Sequence, residues 1–416
     1  MVGFIAYYLN EQVKEFYITL ICVDSAYQTN GIGSQMLDKL IRIARQSRIS
    51  CETIALEVNK QNCKAYSFYK KHGFVELKRG TKILMKKILV IGATGSCGAY
   101  TTVDLKAKGY DVVAVAHRPS DNGFFEEKGI PYYSIDLKDK SSYEQLPKDI
   151  DVVLHFAGAM PARMKGYNPY EYVDSIITGT LNVLEWMREI GCKKIVFAQS
   201  IADILYKFGT TEPIDDDVER KFPLATDHSV YSICKNTAVN LIEHYHAQYG
   251  FQRFIVRLPT IYVYQPNPFY NVDGEKRWIG YRYIIDQAIK GNTLEVWGNP
   301  DSTKEMVYIG DFVNMMECCI KAEHDGGVYN MCCGHPVSIE YQIKKIAEIF
   351  NGDKKSDIVY KPEKPSSPQF VLSIEKSRRE LGYEPKYDFE TMMKCFRHDM
   401  ETEPMAKIWG KKEDYM

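Results

Sequence analysis

An apolar pentapeptide that runs straight into glycines constrains this chain more than any other feature. Lys87-Ile88-Leu89-Val90-Ile91 is followed at once by Gly92-Ala93-Thr94-Gly95-Ser96-Cys97-Gly98, and a helical stretch opens there. So continuous an apolar run predicts a strand covered on both faces, as in a parallel sheet. Strand, glycine turn and helix in that order are the context of a dinucleotide fingerprint. Gly92 permits the tight turn, Gly95 lets the backbone approach a pyrophosphate, and Gly98 lets helix and strand pack closely. The helix N-terminus, with Thr94, Ser96 and Cys97 beside it, then presents unpaired N–H groups to phosphate. Further strand-like runs follow at Val112–Ala116, Val152–Phe156, Lys194–Ala198 and Phe254–Leu258, alternating with helical stretches. That rhythm predicts an α/β fold with a doubly wound parallel Rossmann sheet.

The end of the second strand selects between cofactors. A carboxylate there holds a ribose 2′-OH, whereas an arginine accommodates a 2′-phosphate. The strand ends Val115-Ala116-His117-Arg118. His117 and Arg118 are therefore expected at the cofactor, which leans toward NADP(H), with NAD(H) the alternative. Farther on, Tyr231-Ser232-Ile233-Cys234-Lys235 lies on a helical stretch reaching about Gln248. Positions i and i+4 share a helix face, so Lys235 can sit beside the Tyr231 hydroxyl or the cofactor ribose. A nearby cation favours phenolate and is expected to bring Tyr231 below its usual ~10. Tyr231 then becomes a usable general acid and base.

With these segments in place, residues 86 to about 400 resemble an extended short-chain dehydrogenase/reductase of the NAD-dependent epimerase/dehydratase family, which acts on nucleotide sugars. Asp136-Leu137 matches the family's pair near the adenine. His155-Phe156-Ala157-Gly158 matches the segment that passes the cofactor ribose and nicotinamide, and implies Phe156, Ala157 and Gly158 as cofactor contacts. Phe197-Ala198-Gln199-Ser200 ends at the position of the catalytic Ser/Thr. Lys304-Glu305-Met306-Val307-Tyr308 and Gly382-Tyr383-Glu384-Pro385 resemble two later signatures. The resemblance implies that Ser200 hydrogen-bonds the reacting oxygen, Tyr231 exchanges the proton and Lys235 holds the nicotinamide ribose. It implies a small substrate lobe drawn mainly from 262–300 and 330–416. It also implies a homodimer through the Tyr170–Met187 and Tyr231–Gln248 stretches.

Three departures qualify the match. Lys304 stands where the family places an arginine near the diphosphate, keeping the charge but losing the bidentate fork. An asparagine usual before Gly179-Thr180 is Ile176. Ser200 is followed by Ile201-Ala202 rather than the Asp-Glu of dehydratases, which disfavours dehydration. The implied activity is a nucleotide-sugar epimerase or ketoreductase. An NADPH-dependent reductase of another carbonyl compound, and a non-catalytic cofactor sensor, are the alternatives.

The first 85 residues have a different pattern. Gln28-Thr29-Asn30-Gly31-Ile32-Gly33 joins a strand (Phe16–Val23) to a helix with apolar residues at Met36, Leu37, Leu40, Ile41 and Ala44. Such a turn points backbone N–H groups at an anion. Asn62-Cys63-Lys64-Ala65-Tyr66-Ser67-Phe68-Tyr69 opens a second helix. Together the two segments resemble GNAT acetyltransferases. That resemblance implies a CoA pyrophosphate at Gln28, Gly31 and Gly33, a pantetheine arm along Asn62, and Tyr69 as the proton donor to the departing thiolate. The family's first strand, first two helices and second strand have no counterpart, so 1–85 is expected to be a partial domain. It could hold acetyl-CoA without transferring the acetyl group. Thr81–Met85 runs straight into Lys86–Ile91, the seam expected of two fused reading frames.

Charge, cysteines and hydropathy bound what remains. Residues 1–86 carry 13 Lys+Arg against 7 Asp+Glu, and 87–416 carry 40 against 47. The larger part, at −7, is a poor nucleic-acid binder. Eleven scattered cysteines form no CxxC pair, so neither a metal site nor a disulfide framework is expected, and a cytoplasmic setting is. No apolar run approaches the ~18 residues of a membrane span.

Overall fold

The computed structural model describes residues 2–10, 15–28, 31–46, 53–58, 62–76, 83–161, 166–225, 229–272, 275–366 and 368–415. Within the first 85, β1 (Gly3–Asn10) pairs antiparallel with β2 (Glu15–Val23), and β2 pairs parallel with β3 (Thr53–Leu56). Helix α1 (Ile32–Gln46) covers one face through Leu37, Leu40, Ile41 and Ala44, all buried. Their i, i+3, i+4, i+7 spacing is what makes that helix one-sided. Helix α2 (Cys63–Lys71) and a hairpin of β4 (Phe74–Glu76) and β5 (Ile83–Met85) complete this part. Thr81, the first residue of the strand expected at the seam, lies outside the described residues.

The large sheet has seven strands: β6 (Lys87–Ile91), β7 (Asp111–Ala116), β8 (Tyr132–Ser134), β9 (Val152–His155), β10 (Lys194–Ser200), β11 (Gln252–Leu258) and β12 (Gly326–Asn330). All are parallel, in the order β8-β7-β6-β9-β10-β11-β12. This is the doubly wound arrangement, and the order reverses between β6 and β9. Alternate residues feed two separate cores. Ile88, Val90, Val112, Ala114, Val152 and Leu154 face one. Leu89, Ile91, Val113, Val115 and Val153 face the other. That double burial is why the central strands are apolar at successive positions through their middles.

Helix α3 (Ser96–Ala107) follows β6. A long helical segment between β9 and β10 comprises α4 (Pro169–Tyr172), a π-helical stretch (Val173–Thr178) and α5 (Gly179–Ile190). Helix α6 (Ser229–Tyr249) precedes β11. The C-terminal half adds α7 (Gly280–Lys290), α8 (Ile309–Lys321) and several short ladders. Phe269–Val272 pairs with Glu275–Trp278, Leu294–Trp297 with Ile358–Lys361, and Thr303–Lys304 with Val337–Ser338.

Candidate active site

The reversal point places the glycine turn against the end of β9. Gly92 has φ +93°, and a Cβ there would lie 3.0 Å from the Ala157 nitrogen. A Cβ on Gly98 would stand 2.0 Å from the Gly92 carbonyl oxygen. Only glycine fits either position, and together they draw α3 onto the turn. Gly95 is the N-cap of α3 with no side chain to cap it, so the first helical N–H groups stay open. Thr94 is held from behind, where the buried Trp409 indole donates to its carbonyl at 2.8 Å. The Cys97 thiol is half-buried and pushed up to about 12 by burial.

The neighbouring strand ends complete a crevice. Phe156 packs on Phe312, and Gly158 lies against Ile176 of the π-helical stretch. The Ala159 N–H donates to Ser175 Oγ at 2.9 Å, so the same stretch clasps the loop after β9. Such π segments occur mostly as local insertions at functional sites. The Leu137 carbonyl accepts from Tyr143 Oη at 3.0 Å and Asn182 Nδ2 at 2.9 Å, while Asp136 Oδ1 accepts from the Lys138 N–H. His117 and Arg118 are exposed after β7. One Arg118 nitrogen donates to the Ile408 carbonyl, so part of the guanidinium expected for a 2′-phosphate is engaged within the chain.

Strand β10 and helix α6 bring the candidate catalytic groups together. Ser200 ends β10, and its hydroxyl accepts from the Ala202 N–H at 3.1 Å. The Ser200 side chain lies beside Tyr231 near the start of α6. Tyr172 meets Tyr231 edge-on, with centroids 5.9 Å apart. Burial pushes the Tyr231 hydroxyl up to about 12, the neighbouring Ser200 hydroxyl working against that rise. The expected lowering by Lys235 is not found. Lys235 is buried, its ammonium donates to the Ala198 carbonyl at 2.8 Å, and it lies 4.5 Å from the Phe197 ring centre. Burial brings Lys235 down to about 8. His155 is buried too. Its Nε2 meets Thr180 Oγ1 at 3.1 Å, its Nδ1 has no partner, and burial with the Lys235 charge lowers it to about 3.

Lys304 is half-buried and its ammonium is lowered by burial. Glu305 beside it is fully buried and raised to about 7 by burial. The Cys333 thiol donates to Glu305 Oε2 at 3.3 Å, and Oε1 has no partner.

The N-terminal candidates are placed differently. The Gln28 side chain donates to the Val23 carbonyl, and Asn62 Oδ1 caps α2 by accepting from the Ala65 N–H. Tyr69 is 8% exposed, packs edge-on against Phe74, and is raised by burial. Gly31 has φ +74°, and a Cβ on Gly33 would touch Phe68. His72 joins the two segments: its Nε2 lies 2.8 Å from Ser34 Oγ and its Nδ1 2.7 Å from the Phe68 carbonyl. Among the described residues no cluster of His, Cys, Asp or Glu could hold a metal ion.

Sequence reasoning passed over Trp409, Tyr143 and Asn182. None sits in a motif, and each acts through one backbone carbonyl that only the folded chain brings within reach.

A doubly wound sheet with a glycine turn at its reversal point, and Ser200, Tyr231 and Lys235 on β10 and α6, defines an extended short-chain dehydrogenase/reductase. The chain belongs to the NAD dependent epimerase/dehydratase family, whose model matches residues 88–332. Residues 1–74 match the Acetyltransferase (GNAT) family. A putative UDP-glucose 4-epimerase of Methanocaldococcus jannaschii is 28% identical over 312 residues, 74% of this chain and 96% of that protein. The crystal structure of a UDP-glucose 4-epimerase from Thermotoga maritima, with UDP-glucose, superposes with a TM-score of 0.61 at 20% identity, over 76% of this chain and 99% of that one. A UDP-glucuronic acid 4-epimerase from Bacillus cereus, in complex with NAD, gives a TM-score of 0.58 at 21% identity, over 79% and 100%.

Proposed function

We propose that residues 86–416 form an NAD-dependent 4-epimerase of a UDP-activated sugar. The observation that carries this is the juxtaposition of Ser200, at the end of β10, with Tyr231 on α6, and Lys235 one helical turn along the same helix. The glycine cradle fits a dinucleotide pyrophosphate: two positions have no room for a Cβ, and the N-terminus of α3 is uncapped. Gly92, Thr94, Gly95, Ser96, Cys97 and Gly98 would hold it, with Asp136 and Leu137 at the adenine and Phe156, Ala157 and Gly158 toward the nicotinamide. Bound NAD supplies the hydride acceptor and donor. Tyr231 takes the proton of the sugar hydroxyl and returns it to the same oxygen, while Ser200 steadies that oxygen. Burial keeps Tyr231 protonated, so Lys235 must turn from the Ala198 carbonyl toward the phenol to create the base form. Lys304, a half-buried cation, suits the substrate diphosphate.

Three further readings go with this. Residues 1–85 form a separate, vestigial unit. A thiolate cannot take a proton from Tyr69 while its ring is core, so release of free thiol from acetyl-CoA is expected to stay at background. The epimerase part forms a homodimer through α4–α5 and α6, whose outer faces carry Tyr170 (75% exposed), Val173, Leu181 and Ile233. No described helix is long and apolar enough to cross a membrane, and Cys192, Cys234 and Cys319 are buried free thiols, in keeping with a reducing cytoplasm.

The test is direct. The purified protein should interconvert UDP-galactose and UDP-glucose, or the corresponding UDP-uronic acids, without added nucleotide. Tyr231→Phe should lose at least ~100-fold in kcat, the low end of general acid–base contributions. Full activity in that variant would refute the assignment.

A further inference from the structure

The chain buries an ion pair that the chemistry above does not use. Arg257, 1% exposed, donates from Nε to Asp203 Oδ1 at 3.0 Å and from Nη2 to Asp203 Oδ2 at 3.1 Å. Its Nη1 reaches Asn330 Oδ1 at 2.8 Å and the Asp216 carbonyl at 3.2 Å. Asn330 returns the connection: its N–H donates to the Asp216 carboxylate, and its Nδ2 to the Ile214 carbonyl at 2.9 Å. One arginine on β11 and one asparagine on β12 thus fix two loops. The first is the turn Ile201–Asp203, which starts at Ser200 and is closed by the Ser200 hydroxyl itself. The second, around Ile214–Asp217, lines a cavity of about 750 Å³ together with Phe208 and Pro213.

A buried ion pair of this kind seldom adds net stability, because desolvation cancels the attraction. It does hold a geometry, because each partner is costly to leave unpaired. We infer that Asp203 is a positioning residue: clamped by Arg257, it sets the turn that holds the Ser200 hydroxyl in place beside Tyr231, and the Asn330–Asp216 branch ties the cavity wall to the same node. The inference rests on the role proposed for Ser200. Its physical content is short-range. Two residues separate the clamp from a hydroxyl whose displacement by about 1 Å costs roughly 100-fold in rate.

The experiment is a double-mutant cycle on the full chain, with whichever of UDP-galactose or UDP-glucuronic acid it turns over. Asp203→Asn keeps the shape and removes the charge. It should lower kcat about 30-fold, with KM and bound-nucleotide content within twofold of the parent. In the Ser200→Ala background the same change should cost less than about threefold, because the hydroxyl it positions is gone. Equal losses in both backgrounds would mean a general structural role and overturn the inference. If Asp203→Asn does not fold, Arg257→Lys, which keeps the charge and loses the fork, takes its place with the same expectation. A Ser200→Ala enzyme with undiminished kcat would instead refute the role given to Ser200, and the inference would fall with it.

Discussion

Burial shifts Lys235 and Glu305 in ways that rate and stability would each register. Lys235 is brought down to about 8 in the site. Its cationic form is needed beside Tyr231, so kcat/KM should be flat near pH 7 and fall as pH rises through about 8. Lys235→Arg should retain part of the activity and lose that basic limb, because a guanidinium stays charged above pH 12. An unchanged limb would assign it to another group. Glu305 runs in the opposite sense to a paired carboxylate. Its proton is held more tightly folded (about 7) than at the ordinary 4.5. The native state therefore binds more protons between those values, and stability falls as pH rises from about 4.5 to 7. Glu305→Gln should gain on the parent by up to about 3 kcal/mol from pH 4.5 to pH 8, read as the change in denaturant midpoint. A pH-independent difference would show that Glu305 does not titrate on unfolding.

At the scale of elements, the glycine turn and α3 are the least forgiving part. Gly98→Ala would push a methyl into the Gly92 carbonyl, so it should destabilise by about 3 kcal/mol and empty the cofactor site. Gly166→Ala meets nothing within 4 Å among the described residues and serves as the neutral control. The strands were the most legible part of the sequence. Lys87–Ile91 is found with the bounds the pattern predicts, and Leu37, Leu40, Ile41 and Ala44 lie buried on the helix their spacing predicts, because burial imposes a period on each. Strand Gly326–Asn330 gave no such signal: two glycines and a polar end hide an element whose pairing with β11 decides it. Tyr231 and Lys235 were legible by their i, i+4 spacing and Ser200 through the family resemblance, but not the ammonium's preference for the Ala198 carbonyl. That depends on which acceptor the packed strand presents, and no local pattern encodes it. Trp409 was invisible for the same reason. Trp409→Leu is expected to keep the fold and shed cofactor more readily, since the Thr94 carbonyl loses its only side-chain donor among the described residues. Unchanged nucleotide content after dialysis would remove that role.

Over the whole molecule, two patterns are joined with little between them. The Rossmann part has both faces of its sheet covered and a site assembled from β6, β9, β10 and α6. The N-terminal part has a three-stranded sheet with Phe4, Tyr8 and Leu20 exposed, and of its candidate residues Asn62 caps a helix and Tyr69 is core. Function is accordingly assigned to the larger part. The distinction that matters most is whether its cofactor is resident or exchanged. An epimerase returns the hydride to the sugar it came from, so its cofactor has no need to leave. A reductase must exchange its cofactor at every turnover. The most direct measurement is to denature the purified protein and identify the released nucleotide by mass spectrometry. The epimerase assignment predicts close to one NAD+ or NADH per chain and no NADP. An empty protein that binds NADPH on titration would contradict it, and would return Arg118 to the 2′-phosphate.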